Sequence, residues 1–150
     1  MQALHPTAAK VRDRLAALGL DVEVRELPAS TRTAQEAADA VACDVGQIVK
    51  SLVFLDAEGA FMCLCAGDRR VDADGLGARP ARADEVREAT GFAIGGVPPL
   101  GHDRALRTVV DESLRRFDTV WCAAGTPNAV FETRVDALLA ALPDAQVRAV

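Results

Sequence analysis

Two apolar runs, residues 51–55 and 60–66, flank the turn sequence Asp56-Ala57-Glu58-Gly59. A strand with one wet face alternates apolar and polar residues, so near-continuous apolar runs predict a hairpin buried on both faces, at the centre of a sheet. The rest of the chain must then supply cover for both faces. Leu4, Ala8, Val11, Leu15 and Leu18 recur at helical spacing, with Pro6 in the first turn and Gly19 as the stop. Val22 and Val24 alternate with Asp21, Glu23 and Arg25 as a short half-buried strand. Thr33 with Glu36 makes a capping box ahead of a helix whose core face is Ala34, Ala37, Ala38 and Val41.

Downstream, the pattern predicts a weaker helix over 71–76, a helix over 84–89 stopped by Gly91, and an irregular stretch from Phe92 to Arg104. A strand over 106–110 follows, then a short helix capped by Asp111 and reaching Phe117, and strands over 119–123 and 129–132. Thr133 and Asp136 cap a last helix through Ala141, ended by Pro143. The expected fold class is α/β: one compact domain over residues 1–150, with a mixed, mostly antiparallel sheet surrounded by helices.

Composition excludes several functions. A net charge of −5 argues against broad binding to DNA or RNA, although paired arginines (Arg69-Arg70, Arg115-Arg116) leave room for a local phosphate contact. No apolar run approaches the roughly 20 residues of a membrane span, and the first residues lack a signal-peptide pattern, so a cytoplasmic protein without membrane partners is expected. The cysteines at 43, 63, 65 and 122 form no C-x-x-C pair and stand near no histidine, so no metal and no other cofactor is expected; Cys63 and Cys65 read as small core residues on one strand face. There is no G-x-S-x-G elbow, no phosphate-binding G-x-x-x-x-G-K-[ST] and no H-E-x-x-H. With only His5 and His102 present, a histidine-centred triad has little support.

Three features remain that could carry chemistry. Lys50 is one of two lysines in a chain with fifteen arginines, and it stands where a helical segment gives way to a buried strand. A compact ammonium with three donors at the mouth of a strand suits gripping or polarising a substrate, and a lysine merely snorkelling at a strand end is the plainer alternative. The loop Gly95-Gly96-Val97-Pro98-Pro99-Leu100-Gly101-His102 combines residues that free the backbone with residues that fix it. Such a loop could hold N–H groups around a carbonyl or oxyanion, or simply make a tight turn. A third loop, residues 123–128, offers Thr126 and Asn128 as polar groups after an apolar strand.

The blocks Thr33-Ala34-Gln35-Glu36-Ala37-Ala38, Ile48-Val49-Lys50-Ser51-Leu52-Val53-Phe54, Thr90-Gly91-Phe92 with Gly95-Gly96-Val97-Pro98-Pro99-Leu100-Gly101, and Ala124-Gly125-Thr126-Pro127-Asn128 resemble, in order, the YbaK/ProX family of aminoacyl-tRNA editing domains. The resemblance runs from about Leu4 to Leu142. It implies a free-standing relative of the editing domain inserted in some prolyl-tRNA synthetases, a hydrolase that removes a wrong amino acid from tRNA. Lys50 would be the residue needed for activity, and Thr31, Ser51, Gly96, Val97, Pro98, Gly101, His102, Gly125 and Thr126 would shape the site around the ester. The implied partners are the acceptor end of a mischarged tRNA, tRNA(Pro) bearing a small amino acid such as Ala, Cys or Ser, and prolyl-tRNA synthetase. Ser51 departs from the asparagine of the alanine-specific branch, which leaves the amino acid open. A non-catalytic tRNA- or synthetase-binding module on the same fold is the competing class. A hydrolase using Cys43 or Cys65 as nucleophile ranks last, because no base partner for either is evident.

Overall fold

The computed structural model describes residues 3–28 and 33–150; Thr31 lies outside the described residues. Helix α1 (Pro6–Ala17) starts with its proline in the first turn and with His5 Nδ1 accepting from Thr7 N, and it buries Ala8, Val11 and Leu15. Gly19, at φ 90°, ends it while Leu20 N donates back to Leu15 O. Leu18 belongs to the expected apolar face but sits at the cap, where the helix no longer aims it inward, and is 50% exposed.

Strand β1 (Val24–Glu26) buries Val24. Helix α2 (Ala34–Val41) is capped by Thr33, whose Oγ1 accepts from Glu36 N at 3.1 Å. A 3-10 turn over Val45–Gln47 then leads into β2 (Val49–Asp56) and β3 (Gly59–Ala66), which pair antiparallel from Val49↔Ala66 to Asp56↔Gly59. The predicted hairpin is therefore present. Its turn is set by Asp56 Oδ1 accepting from Glu58 N and by Gly59 at φ 112°.

β4 (Arg79–Pro80) borders β2, and α3 (Ala83–Thr90) follows, stopped by Gly91 at φ 83°. β5 (Arg107–Asp111) lies parallel to β3, and a 3-10 segment, Glu112–Arg116, succeeds it. β6 (Thr119–Ala123) and β7 (Ala129–Arg134) form an antiparallel pair, α4 (Val135–Ala140) packs after them, and β8 (Gln146–Arg148) closes the second sheet parallel to β5. The strands form a three-stranded sheet, β1-β7-β6, and a five-stranded sheet, β4-β2-β3-β5-β8. One parallel bridge, Ile48↔Trp121, joins them. The main core lies between the sheets and α1, around Phe131, Met62, Leu64, Leu15 and Leu138, while Phe54, Phe61 and Cys63 pack a smaller cluster on the opposite face of the hairpin.

The structure corrects three expectations. Residues 71–76 form no helix: 71 and 72 are irregular and 73–77 are turns, where Gly75 and Gly77 interrupt the helical pattern and Gly77 takes φ 64°. Thr133 does not cap α4: β7 runs on through it, Thr133 is buried, and Arg134 is the cap residue. Asp111 does stand at the cap position of a short helix ended by Phe117, but that helix is a 3-10 segment and the carboxylate accepts from Ser113 Oγ and Val150 N rather than from a main-chain N–H of the segment.

Candidate functional site

Where the two sheets touch at Ile48 and Trp121 they also part, and the opening is a cleft of about 310 Å³. One wall is the start of β2, from Val49 to Leu52; the facing wall is Trp121 to Ala123 of β6 with Ala129 and Val130 of β7. Thr33, the cap of α2, closes one side with Ala34 and Ala37 of that helix, and Ile94, Gly95, Val97 and Pro127 close the other. Small side chains on α2 allow the helix to stand close to the strands and keep the cavity open. Ile94 is 61% exposed at the rim, so an apolar group faces solvent beside the opening.

Among the described residues, Lys50 is the one charged residue lining this cleft. It is the second residue of β2, opposite Cys65 on β3, and its Nζ donates to the main-chain carbonyl of Arg69. No carboxylate lies within ion-pair distance of it among the described residues. Asp68, which could have taken that place, is held instead by Arg116 in a bidentate pair at 2.7 and 3.0 Å, and that guanidinium keeps its carboxyl below the usual range. The ammonium thus retains donors for a ligand.

The expected site residues divide into three groups. Lys50, Ser51 and Val97 line the cleft. Gly96 and Gly125 sit behind its wall, where the two loops meet: Gly125 N donates to Gly96 O at 2.8 Å, and Gly96 N to Ala93 O at 3.0 Å. Their amides thus bind loop to loop and are not presented to a ligand, contrary to the expectation of an N–H cradle built on these glycines. Pro98 is fully buried, and Thr126 Oγ1 donates to Asn128 Oδ1, fixing the turn beside Pro127. Gly101 and His102 are elsewhere, lining a separate groove of about 600 Å³ between Leu18 and Pro143. His102 Nε2 lies 2.7 Å from Pro98 O and its ring meets Phe92 edge-on; burial lowers its pKa, so it is a neutral structural imidazole near pH 7.

Trp121, Ala123, Ile94 and Pro127 also line the cleft, although sequence reasoning did not single them out. Their signal was weak because each reads as an ordinary strand or turn residue, and they meet Lys50 only through the bridge between sheets.

The thiols are poor nucleophiles. Burial pushes Cys63 up to about 12 and raises Cys65 and Cys122 as well, while Cys43 is raised by burial and the neighbouring Asp44. Iodoacetamide treatment of the native protein at about pH 7.5 is therefore expected to leave Cys63, Cys65 and Cys122 unmodified by mass spectrometry while they react in the denatured chain. Equal labelling of these thiols in the native and denatured protein would contradict that.

Residues 28–141 match the family model of the aminoacyl-tRNA editing domain. The chain belongs to that family. It is 34% identical over 117 residues to the uncharacterised protein YwhH of Bacillus subtilis, covering 73% of this chain and 74% of that one. It is 35% identical over 106 residues to the proline–tRNA ligase of Kosmotoga olearia, covering 64% of this chain but 18% of the ligase, so the likeness is to one segment of a much longer enzyme. A solved structure described as a candidate trans-editing enzyme for prolyl tRNA synthetase superposes with a TM-score of 0.91 at 48% identity, covering 98% of both chains. The editing-domain fold is thus a single α/β domain here, with Lys50 at the cleft between its sheets.

Proposed function

We propose that this editing domain is a free-standing deacylase that hydrolyses the ester of a mischarged tRNA, tRNA(Pro) carrying a small amino acid such as Ala, Cys or Ser. The observation that carries the reading is Lys50: an ammonium that, among the described residues, has no carboxylate partner and is the one charge at a cleft of about 310 Å³ walled by small and apolar residues. The family match and the likeness to a segment of proline–tRNA ligases support the tRNA ester as substrate.

An aminoacyl ester is already activated, so hydrolysis needs a placed water and stabilisation of the tetrahedral oxyanion rather than a protein nucleophile. In this reading Lys50 supplies positive charge at the ester or at the terminal phosphate, and the ribose hydroxyl of the substrate positions water. Ala34 and Ala37 limit the pocket by size, which discriminates by about 1–3 kcal/mol per methylene. Ala34→Leu, which projects three more carbons into the cleft, is expected to lower hydrolysis of alanyl-tRNA(Pro) by roughly tenfold with the melting temperature nearly unchanged.

The net charge of −5 favours weak affinity for tRNA in isolation, so prolyl-tRNA synthetase is the proposed partner that delivers substrate. The test is deacylation of tRNA(Pro) charged with Ala, Cys, Ser or Thr at physiological salt, with and without the synthetase. Higher kcat/KM on its addition supports delivery, and an unchanged value removes the partner from the account.

A further inference from the structure

The gap between the sheets is an interrupted parallel ladder. Val53 O accepts from Ala81 N on the side of β2 away from β3. Alternate residues of an antiparallel strand send N–H and C=O to the same side, so the main-chain groups of Ser51 leave β2 on that side too. On β6, Ala124 N donates to Ala129 O on the β7 side, which turns the N–H and C=O of Ala123 the other way, towards β2. Had pairing continued past Ile48↔Trp121, Ser51 and Ala123 would have bonded to each other, but the bridge is isolated and both residues line the cleft. In addition, Ser51 Oγ is buried and has no hydrogen-bond partner. Buried hydroxyls are ordinarily paired, so the unpartnered Ser51 Oγ, beside main-chain groups of Ser51 and Ala123 that face the cleft, points to a ligand that completes it.

We propose that Ser51 and Ala123 recognise the α-ammonium of the aminoacyl group, through their two main-chain carbonyls and the Ser51 hydroxyl. An ammonium has three donors and these groups are three acceptors. Among the described residues, no acidic one lines the cleft to do the same work. Lys50 acts separately, on the ester or phosphate. The assignment rests on the deacylase reading above.

The test compares alanyl-tRNA(Pro) with the same ester deaminated to its α-hydroxy counterpart, each enzymatic rate divided by the spontaneous one. The acceleration is expected to be at least ~10-fold smaller for the hydroxy ester, because it lacks the cation and two of its three donors. Ser51→Ala narrows that gap, whereas Lys50→Ala lowers both accelerations alike. Equal acceleration of the two esters by the wild type would overturn the assignment, and no acceleration of either would overturn the deacylase reading instead. In that event binding decides the assignment: the amide analogue 3′-alanylamido-3′-deoxyadenosine should bind at least ~10-fold tighter than its lactoyl counterpart, shifting the Ser51 and Ala123 amide signals in NMR. Equal affinities, or shifts confined to other residues, would overturn it.

Discussion

Replacing Lys50 by alanine is expected to lower the single-turnover rate of deacylation by on the order of 10²- to 10³-fold, the range for removing one group that stabilises a developing oxyanion. The fold should survive. The side chain is only partly buried, and its one polar contact is to the carbonyl of Arg69, worth about 0.5–1.5 kcal/mol net. At about 2–4 °C per kcal/mol for a domain of this size, the melting temperature drops by a few degrees. Lys50→Arg separates charge from geometry: its planar fork keeps the charge but cannot occupy the same point beside Arg69, so partial recovery is expected. A Lys50→Ala protein with a wild-type melting curve and wild-type rates would reduce Lys50 to the snorkelling residue that its sequence context also allows.

Gly96→Ala should damage both stability and activity. A Cβ at this position would stand 2.8 Å from Gly125 O, 2.9 Å from Gly125 C and 3.0 Å from Thr126 Cα, all backbone atoms that no rotamer change can move. The two loops must then separate, at a cost of about 1–3 kcal/mol as for other overpacked sites. Their hydrogen bond from Gly125 N to Gly96 O lengthens, and the neighbouring Gly95, Val97 and Pro127 shift as part of the cleft wall. Thermal melts and deacylation rates measured together are expected to show a loss of several degrees and a fall in rate of roughly tenfold, less than Lys50→Ala, because the charge remains. Unaltered rates would mean that the loops support the fold without shaping the site.

The hairpin, α1, α2 and α3 were legible because each carries a local cause: apolar runs about a turn, helical spacing, a threonine cap, a left-handed glycine stop. β4 and β8 were not, since strands of two and three residues exist only through the neighbours they border. Thr133 misled because Thr133 and Asp136 imitate a capping box, while burial against the core extends β7 through that position. At the site, Lys50 was readable as a charge out of place. The opening beside it was not, because it depends on Ile48 meeting Trp121 across 73 residues of chain and on the ladder stopping there. For the same reason the glycine loop drew attention as a source of free N–H groups, whereas the buried hydroxyl without a partner is that of Ser51, on β2.

The most direct measurement is single-turnover deacylation by the wild-type protein of tRNA(Pro) carrying alanine, set beside tRNA(Pro) carrying its correct proline, with the synthetase present and absent. Lys50 beside a small apolar cleft predicts that the alanyl ester is emptied far faster than its spontaneous hydrolysis while the prolyl ester is spared. No acceleration of the alanyl, cysteinyl, seryl or threonyl ester under either condition would contradict the hydrolytic reading and leave a binding module on the editing fold.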